Sequence, residues 1–231
     1  MKVRYDTVFL DVDGTLLWVD LDIEGYVRDL ERYAKDGPIT VEVAAGPIRE
    51  SMRTHISENI NYPTRQELEA FKRANAERTA RALGVDAPVE VLAEIAERRI
   101  SFRPYPETEE VLGELRRIGC RLYVVSNWDV LLEEVIDDLG WSDYFDGLVV
   151  SAVVGEEKPG RGIFEEALRM SGMEEERGRV VHVGNDPVAD VRGATEAGID
   201  AVLVDRSGAA EAPEAVAEIP DLRPLPRLVQ G

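Results

Sequence analysis

Five runs of apolar, mostly β-branched residues punctuate the chain: VFLDV from residue 8, RLYVVSN from 121, GLVVSAVV from 147, RVVHVGN from 179 and DAVLVDR from 200. Near-continuous runs of this kind suit strands buried on both faces, as in a parallel sheet covered by helices. Between them the apolar spacing becomes helical. ETEEVLGELRRIG (107–119) and DVLLEEVIDDLG (129–140) both end in Gly, and Asp129 stands where an N-cap belongs. GIFEEALRMSG and VADVRGATEAG continue the pattern. Strand alternating with helix predicts an α/β fold with a doubly wound, Rossmann-like parallel sheet.

The stretch 18–102 breaks that alternation. It shows helical patterns only, at about 22–34, 41–60, 64–83 and 88–100. The pattern therefore predicts an α/β core over 1–17 and 103–231, with an all-helical domain inserted at 18–102. The chain returns to the core through SFRPYPETEE, where Pro104 and Pro106 mark an extended linker. The tail after Arg206, rich in Ala, Pro and Glu, reads as surface wrapping without chemistry.

Composition narrows the function classes. The chain has 231 residues, 44% hydrophobic and 32% charged, which suits a soluble globular protein. No apolar run approaches the roughly 20 residues that span a bilayer, and the apolar stretch in MKVRYDTVFLD is too short for a signal peptide. One cysteine, Cys120, allows no internal disulfide and no thiolate cluster, so a reducing cytoplasm is the expected compartment. A net charge of −19 argues against nucleic acid and anionic membranes as partners. The same field attracts divalent cations and repels phosphorylated ligands, so an anionic substrate needs local positive groups or a metal.

Chemistry collects where the predicted strands end, the usual ligand edge of an open α/β sheet. Asp11 and Asp13 follow the first strand, Ser126 and Asn127 the second, Lys158 the third, and Asn185, Asp186 and Asp190 the fourth. Several carboxylates converging on one point are tolerable around a hard cation such as Mg²⁺, which takes oxygen ligands. With a cation bound, Asp11 stays ionised and is available as a nucleophile, while the metal and Lys158 hold a phosphoryl group against the acids. Gly14 allows a sharp turn whose amides can face an anion, and Ser126 with the amides at Trp128–Asp129 offers a second anion site.

Taken together, DVDGTL at 11–16, VVSN at 124–127, KP at 158–159 and VGNDPVADVRGA at 183–194 resemble the haloacid dehalogenase superfamily. The four motifs stand in the family's order and span most of the chain outside the insertion. The resemblance implies Asp11 as nucleophile forming an aspartyl-phosphate, and Asp13 as the acid that protonates the leaving oxygen and then activates water. It implies Ser126, Asn127 and Lys158 as phosphate-binding residues. Mg²⁺ is expected on Asp11, on the main-chain carbonyl of Asp13, and on acids of the fourth motif. Aligned on Gly184, Asn185 takes the metal-ligand place; aligned on the spacing to Asp190, Asp186 takes it. The charge of a carboxylate favours Asp186, with Asp190 beside it. Gly160-Arg161-Gly162 departs from the family's usual Asp-Pro after the lysine.

Asp13 also favours phosphoryl over halide chemistry, because halide departure needs no proton. The insertion resembles the family's first class of helical cap, which closes over the site and restricts substrates to small molecules. The expected activity is a Mg²⁺-dependent phosphatase acting on a small phosphorylated metabolite. A phosphomutase of the same family and a catalytically silent binding protein on the same fold are its rivals, and the oligomeric state stays open. His182, inside an apolar strand, reads as a core histidine. Arg49, Arg53 and His55 form either a solvated face or substrate contacts, Trp128 either packs or lines the pocket, and Cys120 reads as buried filler.

Overall fold

The computed structural model describes residues 4–35 and 37–231. It divides into two compact units, Met1–Trp18 with Arg103–Gly231, and Val19–Phe102. In chain order the elements are β1 (Thr7–Leu10), β2 (Leu17–Leu21), α1 (Ile23–Leu30), α2 (Val41–Glu58), α3 (Arg65–Ala82), α4 (Val89–Arg98), β3 (Ile100–Pro104), α5 (Thr108–Arg117) and β4 (Arg121–Ser126). There follow α6 (Leu132–Asp138), β5 (Gly147–Val150), α7 (Ser151–Val154), α8 (Arg161–Ser171), β6 (Val180–Gly184), a π-helical turn (Pro187–Arg192), α9 (Gly193–Glu196), β7 (Asp200–Val204), β8 (Ala217–Ile219) and α10 (Leu225–Leu228).

In the first unit six strands form one parallel sheet in the order β5-β4-β1-β6-β7-β8. The chain runs out from β1 through β4 to β5, then crosses to β6 and continues to β8. β1 therefore lies between two parallel neighbours, with Leu10 opposite both Val124 and Val183. All four of its residues are buried, as a strand covered on both faces requires. One face packs Phe9 and Val125 against Ile163, Phe164 and Leu168 of α8 and against Val191 and Ala194. This is the doubly wound architecture that the apolar runs predict.

Four local expectations are corrected. GLVVSAVV is a strand only to Val150; from Ser151 it turns into α7. α6 starts at Leu132 rather than after an Asp129 cap, and Asp129 instead accepts from the Leu131 amide at 2.9 Å. The stretch 18–102 is not purely helical, because β2 and β3 at its ends pair as a two-stranded sheet. The tail after Arg206 is not mere wrapping: β8 extends the main sheet, and Leu222, Leu225 and Val229 are fully buried.

In the second unit α1, α2 and α3 are each opened by a side-chain cap, from Asp22, Thr40 and Thr64 respectively. Their apolar faces meet α4 around Tyr26, Leu30, Ile48, Ala76, Ala80, Leu92 and Ile95. Asp29 is buried there and accepts from Arg98 Nη2 at 2.8 Å and from Arg99 Nε and Nη2 at 2.8 and 2.6 Å. Burial pushes its carboxyl up, but the two guanidinium groups outweigh burial and hold it below the usual range. Among the described residues no helix is long and apolar enough to cross a membrane.

Candidate active site

Asp11 is the first residue beyond β1. Its amide still bonds Val183 O at 3.0 Å, which fixes its backbone to the ladder and delivers its carboxylate to the sheet edge. The side chain is almost wholly buried. Oδ1 accepts from Lys158 Nζ at 2.7 Å and from Ser126 Oγ, at the end of β4, at 3.1 Å. Oδ2 accepts from Thr15 Oγ1 at 3.2 Å. The following turn is tight: Gly14 N bonds Leu17 O at 2.7 Å, and Gly14 takes a φ of +79°. A Cβ at Gly14 would lie 2.4 Å from Asn185 Nδ2, so the turn requires glycine twice over, for its dihedral and for its neighbour.

Lys158 reaches Asp11 across the sheet edge because both its main-chain groups are anchored. Asn127 Oδ1 accepts from its amide at 2.7 Å, and Asn127 Nδ2 donates to its carbonyl at 2.9 Å. Asn127, expected on the phosphate, thus uses its carboxamide to position the lysine. Lys158 Nζ also donates to Asp190 Oδ1 at 2.6 Å. Asp190 is itself held by His182 Nε2 at 2.9 Å and by the Asp186 amide at 2.9 Å. Gly184 leaves the space for this carboxylate, since a Cβ there would sit 2.1 Å from Asp190 Cγ.

The network is short of positive charge. Burial, aided by the Asp190 charge, pushes the Asp11 carboxyl up despite Lys158. At Asp190 burial also opposes ionisation, but Lys158 and His182 outweigh it and the carboxyl lies far below its ordinary value. Burial disfavours the Lys158 ammonium, yet Asp11 and Asp190 together hold its pKa up. His182 is driven down by burial and is neutral at pH 7, which puts its proton on Nε2 facing Asp190. Two buried carboxyl groups therefore share one ammonium, and Asp11 is the one whose ionisation burial opposes. His182 is the core histidine expected, edge-on to Phe164, and its bond to Asp190 ties it to the site.

Asn185 and Asp186 point to different tasks. Asp186 Oδ1 accepts from the amides of Val188 and Ala189 at 2.7 and 2.9 Å, capping the π-helical turn. Asn185 Oδ1 lies 3.3 Å from Thr15 Oγ1, the same hydroxyl that approaches Asp11. It is therefore Asn185, rather than the preferred Asp186, that lies beside Thr15 and the Asp11 loop. The cause is local: a carboxylate just before a run of free amides turns back to cap them. Asp13 is exposed at the turn.

Among the described residues no three His, Cys, Asp or Glu side chains form a cage for a metal ion. A Mg²⁺ ion does not need one, because it keeps several waters and is bound through one or two carboxylates and substrate phosphate. Two features fit such an ion. Asp11 Oδ2 and Asn185 Oδ1 converge on one hydroxyl that can give its single hydrogen to only one of them, and the buried trio lacks a positive charge.

Two residues that carry the geometry, Thr15 and Arg206, and the link between His182 and Asp190 were not read from the sequence. Thr15 lies inside DVDGTL, where a hydroxyl is also ordinary turn chemistry. The His182–Asp190 link carries no sequence signal beyond a polar residue in a strand. Arg206 Nη2 donates to Thr15 O at 2.8 Å from a position 191 residues away. Of the residues left open, Arg53 pairs with Glu50 in the second unit, and the Trp128 amide donates to Ser151 Oγ at 3.1 Å. Cys120 is buried as expected, its thiol pushed up to about 11 by burial.

Comparison with known proteins gives the family. A family model described as haloacid dehalogenase-like hydrolase matches residues 5–198. A glyceraldehyde 3-phosphate phosphatase from Methanothermobacter thermautotrophicus is 34% identical over 208 residues, covering 86% of this chain and 84% of that protein. A phosphoserine phosphatase from Thermus thermophilus is 40% identical over 121 residues, 52% of this chain and 46% of that protein. The solved structure of a HAD-hydrolase, YfnB, from Bacillus subtilis bound to magnesium shares the fold. It superposes with a TM-score of 0.66 at 20% identity, covering 99% of this chain and 100% of that one. The chain belongs to the haloacid dehalogenase-like hydrolases.

Proposed function

We propose that this phosphoric monoester hydrolase acts on a small phosphorylated metabolite, depends on Mg²⁺ and works through an aspartyl-phosphate on Asp11. The observation that carries the reading is the buried Asp11 carboxylate, 2.7 Å from Lys158 Nζ and 3.1 Å from Ser126 Oγ. An acceptor-only group this short of counter-charge is a nucleophile waiting for an electrophile that brings its own partners.

One Asp11 oxygen attacks phosphorus, forming an O–P bond as the ester O–P bond breaks. Asp13 gives its proton to the departing alkoxide and then takes one from the water that cleaves the aspartyl-phosphate. Lys158 and Ser126 hold phosphoryl oxygens in the attack geometry. Asp190 keeps the Lys158 ammonium charged and aimed, and His182 and the Asp186 amide keep Asp190 in place. Asp11, the main-chain carbonyl of Asp13 and Asn185 Oδ1 are the groups that would hold Mg²⁺, which supplies the positive charge the buried trio lacks.

The curated relatives support a small substrate, since both phosphatases reported above are named for three-carbon phosphates. The test is release of p-nitrophenol from p-nitrophenyl phosphate with Mg²⁺ and with EDTA, beside Asp11→Asn. A panel with glyceraldehyde 3-phosphate and phosphoserine follows. Metal-dependent release that disappears in the variant supports the reading; release that survives in Asp11→Asn overturns it.

A further inference from the structure

Arg206 is the residue at which β7 gives way to the C-terminal tail, and it reaches back to the loop that follows β1. Nε donates to Gly14 O at 3.3 Å and Nη2 to Thr15 O at 2.8 Å. Nη1 pairs with Glu107 Oε1 at 2.8 Å, and the guanidinium carbon lies 3.3 Å from the centroid of the Tyr105 ring. Every nitrogen of the fork is therefore committed and one face is stacked. Glu107 is itself buried and fixed at the start of α5, where it also accepts from the Leu222 amide at 3.5 Å. Burial pushes the Glu107 carboxyl up, but the guanidinium outweighs burial and holds it below the ordinary glutamate range.

The two carbonyls so held belong to the residues that set the geometry around Asp11. Thr15 carries the hydroxyl shared by Asp11 Oδ2 and Asn185 Oδ1, and Gly14 lies against the Asn185 carboxamide. The turn's own hydrogen bonds hold these two peptides on their amide side, Thr15 N and Leu16 N donating to Val12 O at 3.2 and 2.9 Å, and Arg206 holds them on their carbonyl side. The neighbouring Leu16 carbonyl is likewise held, by the Tyr105 amide at 3.1 Å and by Thr108 Oγ1 at 2.6 Å.

The geometry points to Arg206 as a positioning residue for the reaction at Asp11: its fork, backed by Glu107 and Tyr105, fixes the Gly14–Thr15 peptides and through Thr15 the Asp11 carboxylate. This rests on the reading of Asp11 as nucleophile. Lysine is a poor substitute, because one ammonium cannot span two carbonyls and a carboxylate while stacking on a ring.

The test compares wild type, Arg206→Ala, Arg206→Lys and Glu107→Gln in p-nitrophenyl phosphate hydrolysis with Mg²⁺. The same proteins are followed by amide NMR of Gly14 and Thr15. Arg206→Ala is expected to lose about tenfold to a hundredfold in kcat with KM within about threefold. Arg206→Lys recovers part of that loss, and millimolar guanidinium ion restores turnover to Arg206→Ala but not to Asp11→Asn. The Gly14 and Thr15 resonances move in both Arg206 variants. Glu107→Gln, which keeps the fork, shifts kcat in the same direction by less, and it carries the test if Arg206→Ala does not fold. Unchanged kcat in Arg206→Ala, a loss confined to KM, or a loss that guanidinium does not relieve overturns the proposal. If no protein in the set hydrolyses the ester, the phosphatase reading fails, and the loop resonances still decide whether Arg206 holds the turn.

Discussion

Both units bury an aspartate, and the surroundings of the two could hardly differ more. In the helical unit Asp29 meets Arg98 and Arg99, with Arg32 at 3.8 Å, so cations outnumber the carboxylate. At the sheet edge Asp11 and Asp190 share one Lys158, so carboxylates outnumber the cation. The first arrangement is closed in charge: Arg98 and Arg99 donate to Asp29 Oδ2 at 2.6 to 2.8 Å, and Arg32 faces Oδ1 at 3.8 Å. The second is open by one positive charge. Burial of a charged group is thus a poor guide to function by itself; the local excess of one sign separates a structural ion cluster from a reactive one.

That contrast can be broken from either side. The largest effect is expected at the open end, where Asp11→Asn lowers turnover by about 10⁴-fold or more, measured as single-turnover product release. Its unfolding transition should stay cooperative, since the asparagine still fits between Ser126 and Thr15. At the closed end, Asp29→Asn leaves the half-buried Arg99 and the exposed Arg98 without their shared carboxylate and costs about 2 kcal/mol in urea unfolding. The effect has a pH signature. The folded Asp29 carboxyl is depressed, so its contribution is fully present above the unfolded value near about 4 and is lost as pH falls through the folded value. Wild type and Asp29→Asn should accordingly converge in stability below that pH; a constant gap at all pH values would show that charge is not what Asp29 contributes.

Smaller effects sharpen the open end. Asn185→Ala should raise the Mg²⁺ concentration for half-maximal activity about tenfold. Asp186→Ala should leave that concentration unchanged and cost about 1 kcal/mol of stability through loss of its cap. Metal titrations of the two variants, with thermal melts alongside, give both numbers, and the opposite ranking would return the ligand role to Asp186.

The sheet was legible because its strands are buried on both faces and so write unbroken apolar runs. β2 and β3 were not, because a half-exposed ribbon such as LWVDL mixes polar and apolar positions. β8 was missed for its length, three residues within an Ala- and Pro-rich tail. At the site, Asp11 and Lys158 were legible as charged residues at strand ends, where burial demands a reason. Which of Asn185 and Asp186 lies beside Thr15 was not, since charge favoured one residue while the main-chain amides of the next turn claimed it. Asn127 and Arg206 act on backbone groups of residues 31 and 191 positions away, and no spacing rule along the chain reports such pairings.

The place of β1 in the strand order has a consequence for how the molecule tolerates damage. Hydrogen-bonded on both edges, with Asp11 N continuing the ladder to Val183, this strand belongs to the most protected part of the parallel sheet. In amide exchange Asp11 should protect with the global unfolding event, while the β8 edge opens earlier. A population with frayed borders therefore keeps the Asp11 carboxylate on an intact frame, and loss of that carboxylate's setting coincides with loss of the domain itself.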